Sequence, residues 1–375
     1  MSLETFCRDK LAGLDATKRR RVLVPTARLP GLRLQRGERV LVDFSSNDAL
    51  GLSHHPRVIE AATSAAQAFG TGALASRLVA GNHPLYAALE ARLAQEKRAE
   101  AALVLSSGYV ANLAVIPALV DAGDLILIDE LAHACLYAGA RLSAARVERF
   151  AHNDVSMAAA VLKRARGAHR RCLVVTESVF SMDGDRAPLL GLMHLANEND
   201  AWHLVDDAHG FLTSAQPVTS AVAHVMTGSL SKATASMGGT IVGPRVLVEL
   251  LTSRARPLVY STGLPPSAIA SALAVLDVVA DEPALRSMAH DKARAFCGAL
   301  SLPVPESHIV PLVVGDEETA LRLMQDLEMD GFWAVAIRPP TVPVGASRIR
   351  LSFSAGHSDD DVRALAAAVQ QRWQR

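Results

Sequence analysis

Half of the 375 residues are hydrophobic, enough at this length to bury a sizeable core and to suggest one large domain with a smaller one. Thirty-eight basic side chains balance 38 acidic ones, which removes any electrostatic case for nucleic acid or an anionic membrane; the basic run Lys18 to Arg21 reads as a solvated helix face. Four scattered cysteines without a CxxC pair exclude a disulfide framework or zinc site, and with no signal-peptide core and no stretch of roughly 20 apolar residues the expectation is a cytoplasmic, globular chain outside the membrane.

Helical periodicity covers 56–69 and 84–97. From 101 to 242, strand-like runs at 101–105, 125–128, 147–150, 172–176, 203–205 and 225–227 alternate with helical patterns at 111–120, 155–166 and 189–199. That alternation predicts an α/β fold with a mostly parallel central sheet covered on both faces. Helices at 267–279 and 283–300 lead into a β-containing tail, with strands at 309–314 and 349–353 and helices at 317–330 and 359–372. The expected division is an N-terminal segment 1–45, a large domain 46–285 and a small α+β domain 286–375. The proline-rich loop 338–343 is too short to separate domains.

Ligands of open parallel sheets sit at the carboxyl ends of the strands. Those positions here are 106–109, 129–133, 177–181, 206–209 and 229–232, all polar and glycine-tolerant. Lys232 is the single charged residue between Gly210 and Pro244. An amine among small uncharged residues can have its pKa lowered and act as a Schiff-base nucleophile; the plainer alternative is a surface lysine with its head in water. The other lysines, Lys97 among them, have charged residues close by in the sequence. Ser106-Ser-Gly-Tyr109 opens a helix expected near Val110, and its free N–H groups suit either a phosphate or an ordinary cap. Neither a Walker motif nor a GxGxxG is present. Asp206 ends a hydrophobic strand, where a carboxylate needs a protonated pyridine nitrogen, backbone amides, or a metal shared with His209. His133 and His209 each allow a structural reading as well. Together, a lysine for an imine, a carboxylate for a pyridinium, a histidine for stacking and a glycine-bearing helix start describe pyridoxal 5'-phosphate.

Asp206-Asp-Ala-His-Gly210 followed by Ser229-Leu-Ser-Lys232 resembles the fold-type I pyridoxal-phosphate transferases and, within them, the α-oxoamine synthases. The likeness runs from Asn47 to His357. Phe150-Ala-His-Asn-Asp154, the stretch 179–189, and Ile337-Arg-Pro-Pro-Thr-Val-Pro343 with Arg348-Ile-Arg-Leu-Ser352 are similar to the 8-amino-7-oxononanoate synthase family. The resemblance implies that Lys232 binds the cofactor and later moves the substrate Cα proton. It implies that Asp206 meets the pyridine nitrogen, His209 the ring hydroxyl and His133 the ring face. Gly108, Tyr109 and Ser229 would take the phosphate and Ser181 would assist, while Thr262 would reach the phosphate of the neighbouring subunit in a homodimer. Arg350 would hold the amino-acid carboxylate with Asn47 and Ser352 nearby, and Arg21, or Arg19 in another register, would fill a second substrate position.

The implied reaction is a decarboxylative condensation of L-alanine with pimeloyl-CoA or pimeloyl-acyl carrier protein. The alternatives are 2-amino-3-ketobutyrate ligase, using glycine and acetyl-CoA, and a non-catalytic partner subunit. Three departures from the family pattern bear on specificity more than on chemistry. Gly72-Ala-Leu-Ala75 replaces a glycine-rich run, Ala49 replaces an aromatic residue and Phe211-Leu212 replaces a small pair. The stretch after Lys232, Ala-Thr-Ala-Ser, also lacks a customary glycine.

Overall fold

The computed structural model describes residues 1–17, 19–214 and 216–373, so Lys18 of the basic run lies outside the described residues. Helix α1 (Leu3–Ala16) precedes three short strands, β1 (Ala27–Leu29), β2 (Arg33–Arg36) and β3 (Arg39–Asp43). Helices α2 (Pro56–Phe69) and α3 (Pro84–Glu96) lead into β4 (Ala101–Leu105), α4 (Gly108–Leu119), β5 (Leu125–Asp129), α5 (Ala134–Ser143), β6 (Arg146–Phe150) and α6 (Val155–Ala165). The alternation continues with β7 (Cys172–Glu177), α7 (Leu189–Glu198), β8 (Trp202–Asp206), β9 (Val225–Ser229) and β10 (Gly239–Gly243). Four helices follow, α8 (Arg245–Arg254), α9 (Arg256–Val259), α10 (Pro266–Asp281) and α11 (Leu285–Ala299). The chain ends in β11 (Ile309–Gly315), α12 (Glu317–Met329), β12 (Phe332–Trp333), β13 (Val335–Ile337), β14 (Ser347–Ser352) and α13 (Asp359–Arg372).

The main sheet has the order β4-β10-β9-β8-β7-β5-β6 and contains all six strands expected between 101 and 242. Strands β9, β8, β7, β5 and β6 run parallel, while β10 is antiparallel to both of its neighbours. β10 leaves almost no periodic signal, because only Thr240, Ile241 and Val242 stand between its glycines. Gly239 is required there, since a Cβ would lie 2.1 Å from the Ser107 carbonyl oxygen.

Side chains alternate across this sheet with the period of two that strands impose. Leu103, Leu105, Ile126, Ile128, Leu173 and Val175 pack under α4, α5 and α8. Ala102, Val104, Val205 and Val242 face the layer of α2, α3 and α10, and Leu127, Phe150 and Val174 meet α6 and α7. A second core lies under α11, α12 and α13 against the sheet β11-β14-β13. The N-terminal strands join this C-terminal layer: β12 pairs with β3 in parallel, and Phe44 is fully buried in its core. The arginine run is not a helix face. It follows the end of α1, where Arg20 pairs with Asp15 at 2.9 Å and Arg19 reaches Glu317 at 3.9 Å.

Lys97 departs furthest from its sequence context. At the end of α3 it is 4% exposed and pairs with Asp207, which is 1% exposed and also accepts the Ser178 hydroxyl. Its head lies 4.6 Å from the Phe211 ring centre. Removing one partner strands the other charge, so Lys97→Met is expected to destabilise the protein by about 3–5 kcal/mol in denaturant titration. A change under about 1 kcal/mol would contradict the buried pair.

Three of the departures in sequence fall on left-handed backbone: Leu74 at φ 60°, Leu212 at φ 61° and Ala235 at φ 47°. That conformation costs an L-residue about 1–2 kcal/mol, partly offset in glycine by its freer unfolded chain. Ala235→Gly is therefore expected to raise stability by up to about 1 kcal/mol, and a clear loss would show that the neighbouring loop over-determines this φ.

Candidate active site

Strand register sets three polar residues side by side at the carboxyl edge of the sheet. Glu177 of β7 stands opposite Asp206 of β8, and Asp206 stands opposite Thr227 of β9. All three are buried, so each must find its partners inside the protein. Asp206 Oδ2 accepts the Asn112 amide at 2.6 Å, and Oδ1 accepts the Ala208 N–H at 3.0 Å. Asn112 is itself oriented, because its Oδ1 accepts the Thr227 hydroxyl at 2.8 Å. Among the described residues no cluster of three or more His, Cys, Asp or Glu could hold a metal ion. Glu177 accepts the His133 N–H at 2.7 Å, and burial together with the Asp206 charge pushes its carboxyl up to about 8.

Sequence reading passed over Asn112 and Glu177. Asn112 is the single polar side chain in the apolar run Val110-Ala-Asn-Leu-Ala-Val-Ile116, a pattern that marks an intended polar contact inside a core. Glu177 falls in the strand-end segment 177–181, where no neighbouring sequence feature sets it apart.

Helix α4 begins at Gly108, two residues earlier than expected, with Ser107 as its cap accepting the Val110 N–H at 3.2 Å. The cap satisfies one donor and leaves the first-turn N–H groups of Gly108 and Tyr109 without helical partners. Gly108 presses on the end of β9, where a Cβ would lie 3.0 Å from the Gly228 oxygen and 3.2 Å from the Ser229 Cβ. The Ser229 hydroxyl is 2.8 Å from that of Ser231. The Ser107 cap therefore leaves donors open for an anion at the same helix start.

A cavity of about 300 Å³ collects Asn47, His133, Ser181, His209, Lys232 and Arg350. His133 caps α5 through Nδ1 and presents its ring to this space, while partial burial lowers its pKa. Burial and the Lys232 charge hold the His209 imidazole well below its ordinary value, so it is neutral. Desolvation lowers the Lys232 pKa against the opposing pull of Asp206 and Glu177, and Arg350 adds to the lowering. The Lys232 amine, the His209 ring and the Ser181 hydroxyl form no hydrogen bond with any described residue. Arg350, on β14, donates Nε to the Ser181 carbonyl and a terminal nitrogen to Asn47 Oδ1 at 3.2 Å. Burial lowers its pKa to about 10, which leaves it a cation at neutral pH.

Other expected residues lie outside this lining. Ser352 is buried with its hydroxyl unpaired, and Tyr109 is half exposed at the start of α4. Thr262 is exposed and bridges to Ser76, while Arg21 is exposed beyond α1. A free amine, two unpaired polar groups, a ring-sized cavity, a carboxylate fixed by Asn112 and a helix start with open donors fit pyridoxal phosphate.

Comparison with known proteins agrees. Residues 39–369 match the model of the aminotransferase class I and II family. An 8-amino-7-oxononanoate synthase of Methylobacterium nodulans is 52% identical, over 99% of this chain and 97% of its own length. Another, from Methylorubrum extorquens, is 55% identical over 98% and 95%. Among solved structures, a serine palmitoyltransferase of S. paucimobilis with bound pyridoxal phosphate and myriocin superposes with a TM-score of 0.91 at 26% identity, covering 99% of this chain and 98% of that one. Sequence, fold and cavity together make this chain a member of the 8-amino-7-oxononanoate synthase family, the pyridoxal phosphate-dependent acyltransferases within the class I and II aminotransferase fold.

Proposed function

We propose that the chain condenses L-alanine with a pimeloyl thioester, giving 8-amino-7-oxononanoate, carbon dioxide and the free thiol, in biotin biosynthesis. The observation that carries this reading is the unbonded Lys232 amine facing a cavity that also holds a buried arginine, Arg350. Bound pyridoxal phosphate supplies an electron sink for negative charge at the alanine Cα, when the proton leaves and again when carbon dioxide departs.

The protein's own groups divide the remaining work. Lys232 would hold the cofactor through Nζ and, as an amine whose pKa is lowered, exchange a proton at the alanine Cα. Asp206, kept in place by Asn112, would hold the pyridine nitrogen, and neutral His209 would meet the ring hydroxyl. His133 would cover the ring face. The Gly108 and Tyr109 N–H groups would take the phosphate together with Ser229, and Ser181 would assist at the cofactor. Arg350 with Asn47 would orient the alanine carboxylate, with Ser352 on the same strand and Arg21 at a second substrate position.

Thr262 would serve the site of a second copy. The exposed apolar side chains Leu74, Val79 and Tyr260 flank the Ser76–Thr262 bridge and give that copy a surface to bury. Among the described residues no helix is long and apolar enough to cross a membrane, and we place the reaction in the cytoplasm.

Glycine with acetyl-CoA is the closest rival pair, and a non-catalytic subunit is disfavoured by the retention of Lys232 with Asp206 and His209. Thiol release by the cofactor-loaded protein separates these readings. Release with L-alanine and pimeloyl-CoA, or with pimeloyl-acyl carrier protein, and none with glycine and acetyl-CoA is expected. Release with the second pair alone would move the chain to the ketobutyrate branch, and silence with every pair would contradict catalysis.

A further inference from the structure

Two sequence stretches, 150–154 and 179–189, are largely outside the cavity, yet the structure ties them together. His152 follows β6, and its ring is held between two carboxylates: Nδ1 lies 3.0 Å from Asp129 Oδ1 and Nε2 lies 2.6 Å from Asp185 Oδ2. Phe180 meets the ring edge-on at 4.3 Å. Asn153, at φ 58°, donates its amide to the same Asp185 oxygen at 2.9 Å and to the Arg186 carbonyl at 3.3 Å. Asp129 is fully buried and also accepts the N–H groups of Leu131 and Asn153. Burial alone lowers the imidazole pKa, but the two carboxylates outweigh it and push it up to about 10. The ring is a cation with a donor at each nitrogen, and two anchors on opposite edges fix it against rotation.

This grip extends to Arg350. Asp185 closes a compact turn in which the Phe180 N–H donates to the Asp185 carbonyl at 3.0 Å and the Gly184 N–H to the Phe180 carbonyl at 2.8 Å. Within the turn, the Ser181 carbonyl accepts Arg350 Nε, and Met182 and Asp183 accept Arg348. The turn is wedged against β11: a Cβ on Gly184 would lie 2.2 Å from the Ile309 oxygen, and the Ser307 hydroxyl donates to the Gly184 carbonyl at 2.6 Å. The guanidinium of Arg350 thus takes its position from a turn that the His152 bridge holds to the end of the main sheet.

We propose that His152 is a positioning residue for the amino-acid substrate: through Asp185 it fixes the 180–185 turn, and through that turn it places Arg350. The proposal rests on the reading of Arg350 as the group that binds the alanine carboxylate. His152 itself does not line the cavity that holds Lys232 and Arg350. Its bond to Asp185 is the element that matters, and its bond to Asp129 anchors the ring from behind.

Two substitutions in the cofactor-loaded enzyme separate these bonds. A glutamine amide reaches where Nε2 sits and keeps the bond to Asp185, whereas an asparagine amide reaches only where Nδ1 sits and keeps the bond to Asp129. Both are neutral, so loss of the charge affects them alike. His152→Asn is expected to raise the KM for L-alanine roughly tenfold, while kcat, the KM for the thioester and the visible absorbance of the cofactor stay near wild type. His152→Gln should stay within about threefold of wild type in every one of these readings. In an Arg350→Ala background, His152→Asn should add no further rise in the alanine KM. Asp185→Ala removes this bond together with the Asn153 contact and must raise the alanine KM at least as far as His152→Asn does, which keeps the test intact if His152→Asn does not fold. Equal behaviour of the two His152 variants, or a joint loss of kcat and cofactor absorbance, would make the histidine a packing residue and overturn the proposal. An unchanged alanine KM in Arg350→Ala alone would instead remove the reading of Arg350 on which the proposal stands.

Discussion

The hydrogen bond from Asn112 to Asp206 is the contact around which the site is arranged. A carboxylate 6% exposed at the end of a strand cannot rely on water, and one side-chain amide, one backbone N–H and the Cys135 thiol at 4.0 Å supply only part of what an anion requires. Thr227 holds Asn112 from the next strand, so the orientation of the carboxylate is fixed by sheet register rather than by a mobile loop. Asp206 is thereby kept as an oriented acceptor near an amine that the protein leaves unbonded. An arrangement of this kind suits a ligand with a protonated nitrogen at one end and a carbonyl at the other.

Charge control extends outward in layers. Behind Asp206, Asp207 is neutralised by Lys97 rather than by the site lysine, which keeps two adjacent carboxylates in separate roles. Beside it, burial and the Asp206 charge push the Glu177 carboxyl up to about 8, so near neutral pH it is held mostly uncharged. On the far wall of the cavity Arg350 remains a cation, positioned by a carbonyl and an amide oxygen instead of by a carboxylate. It can therefore accept an anionic substrate without first breaking an internal ion pair.

Much of this was legible in the sequence because it rests on local patterns. Five strands of the main sheet show as apolar runs, β6 with its Val147-Glu-Arg-Phe150 being largely exposed, and Asp206 at the end of β8 and Lys232, His209 and His133 in the segments after the strands collect where the sequence places them. What stayed hidden depends on contacts across the fold. β10 is too short and too rich in glycine to show a period, and β1 to β3 are short strands of mixed composition in which only Leu34, Leu41 and Asp43 are buried. Lys97 looks like a surface lysine until the end of α3 is docked beside Asp207, 110 positions later. The union of the 150–154 and 179–189 stretches through Asp185 is likewise visible only in three dimensions. The sequence departures were readable as substitutions, but their left-handed backbone was not.

The central claim is that the oriented Asp206 carboxylate makes proton loss from the amino-acid substrate possible. It is tested most directly by following exchange of the L-alanine α-proton in deuterated water, without thioester, for the wild-type protein and Asp206→Asn. The account predicts that Asp206→Asn keeps its fold and bound cofactor while exchange slows by roughly 10²–10³-fold. Exchange within a few-fold of wild type would show that the carboxylate serves the structure and not the chemistry.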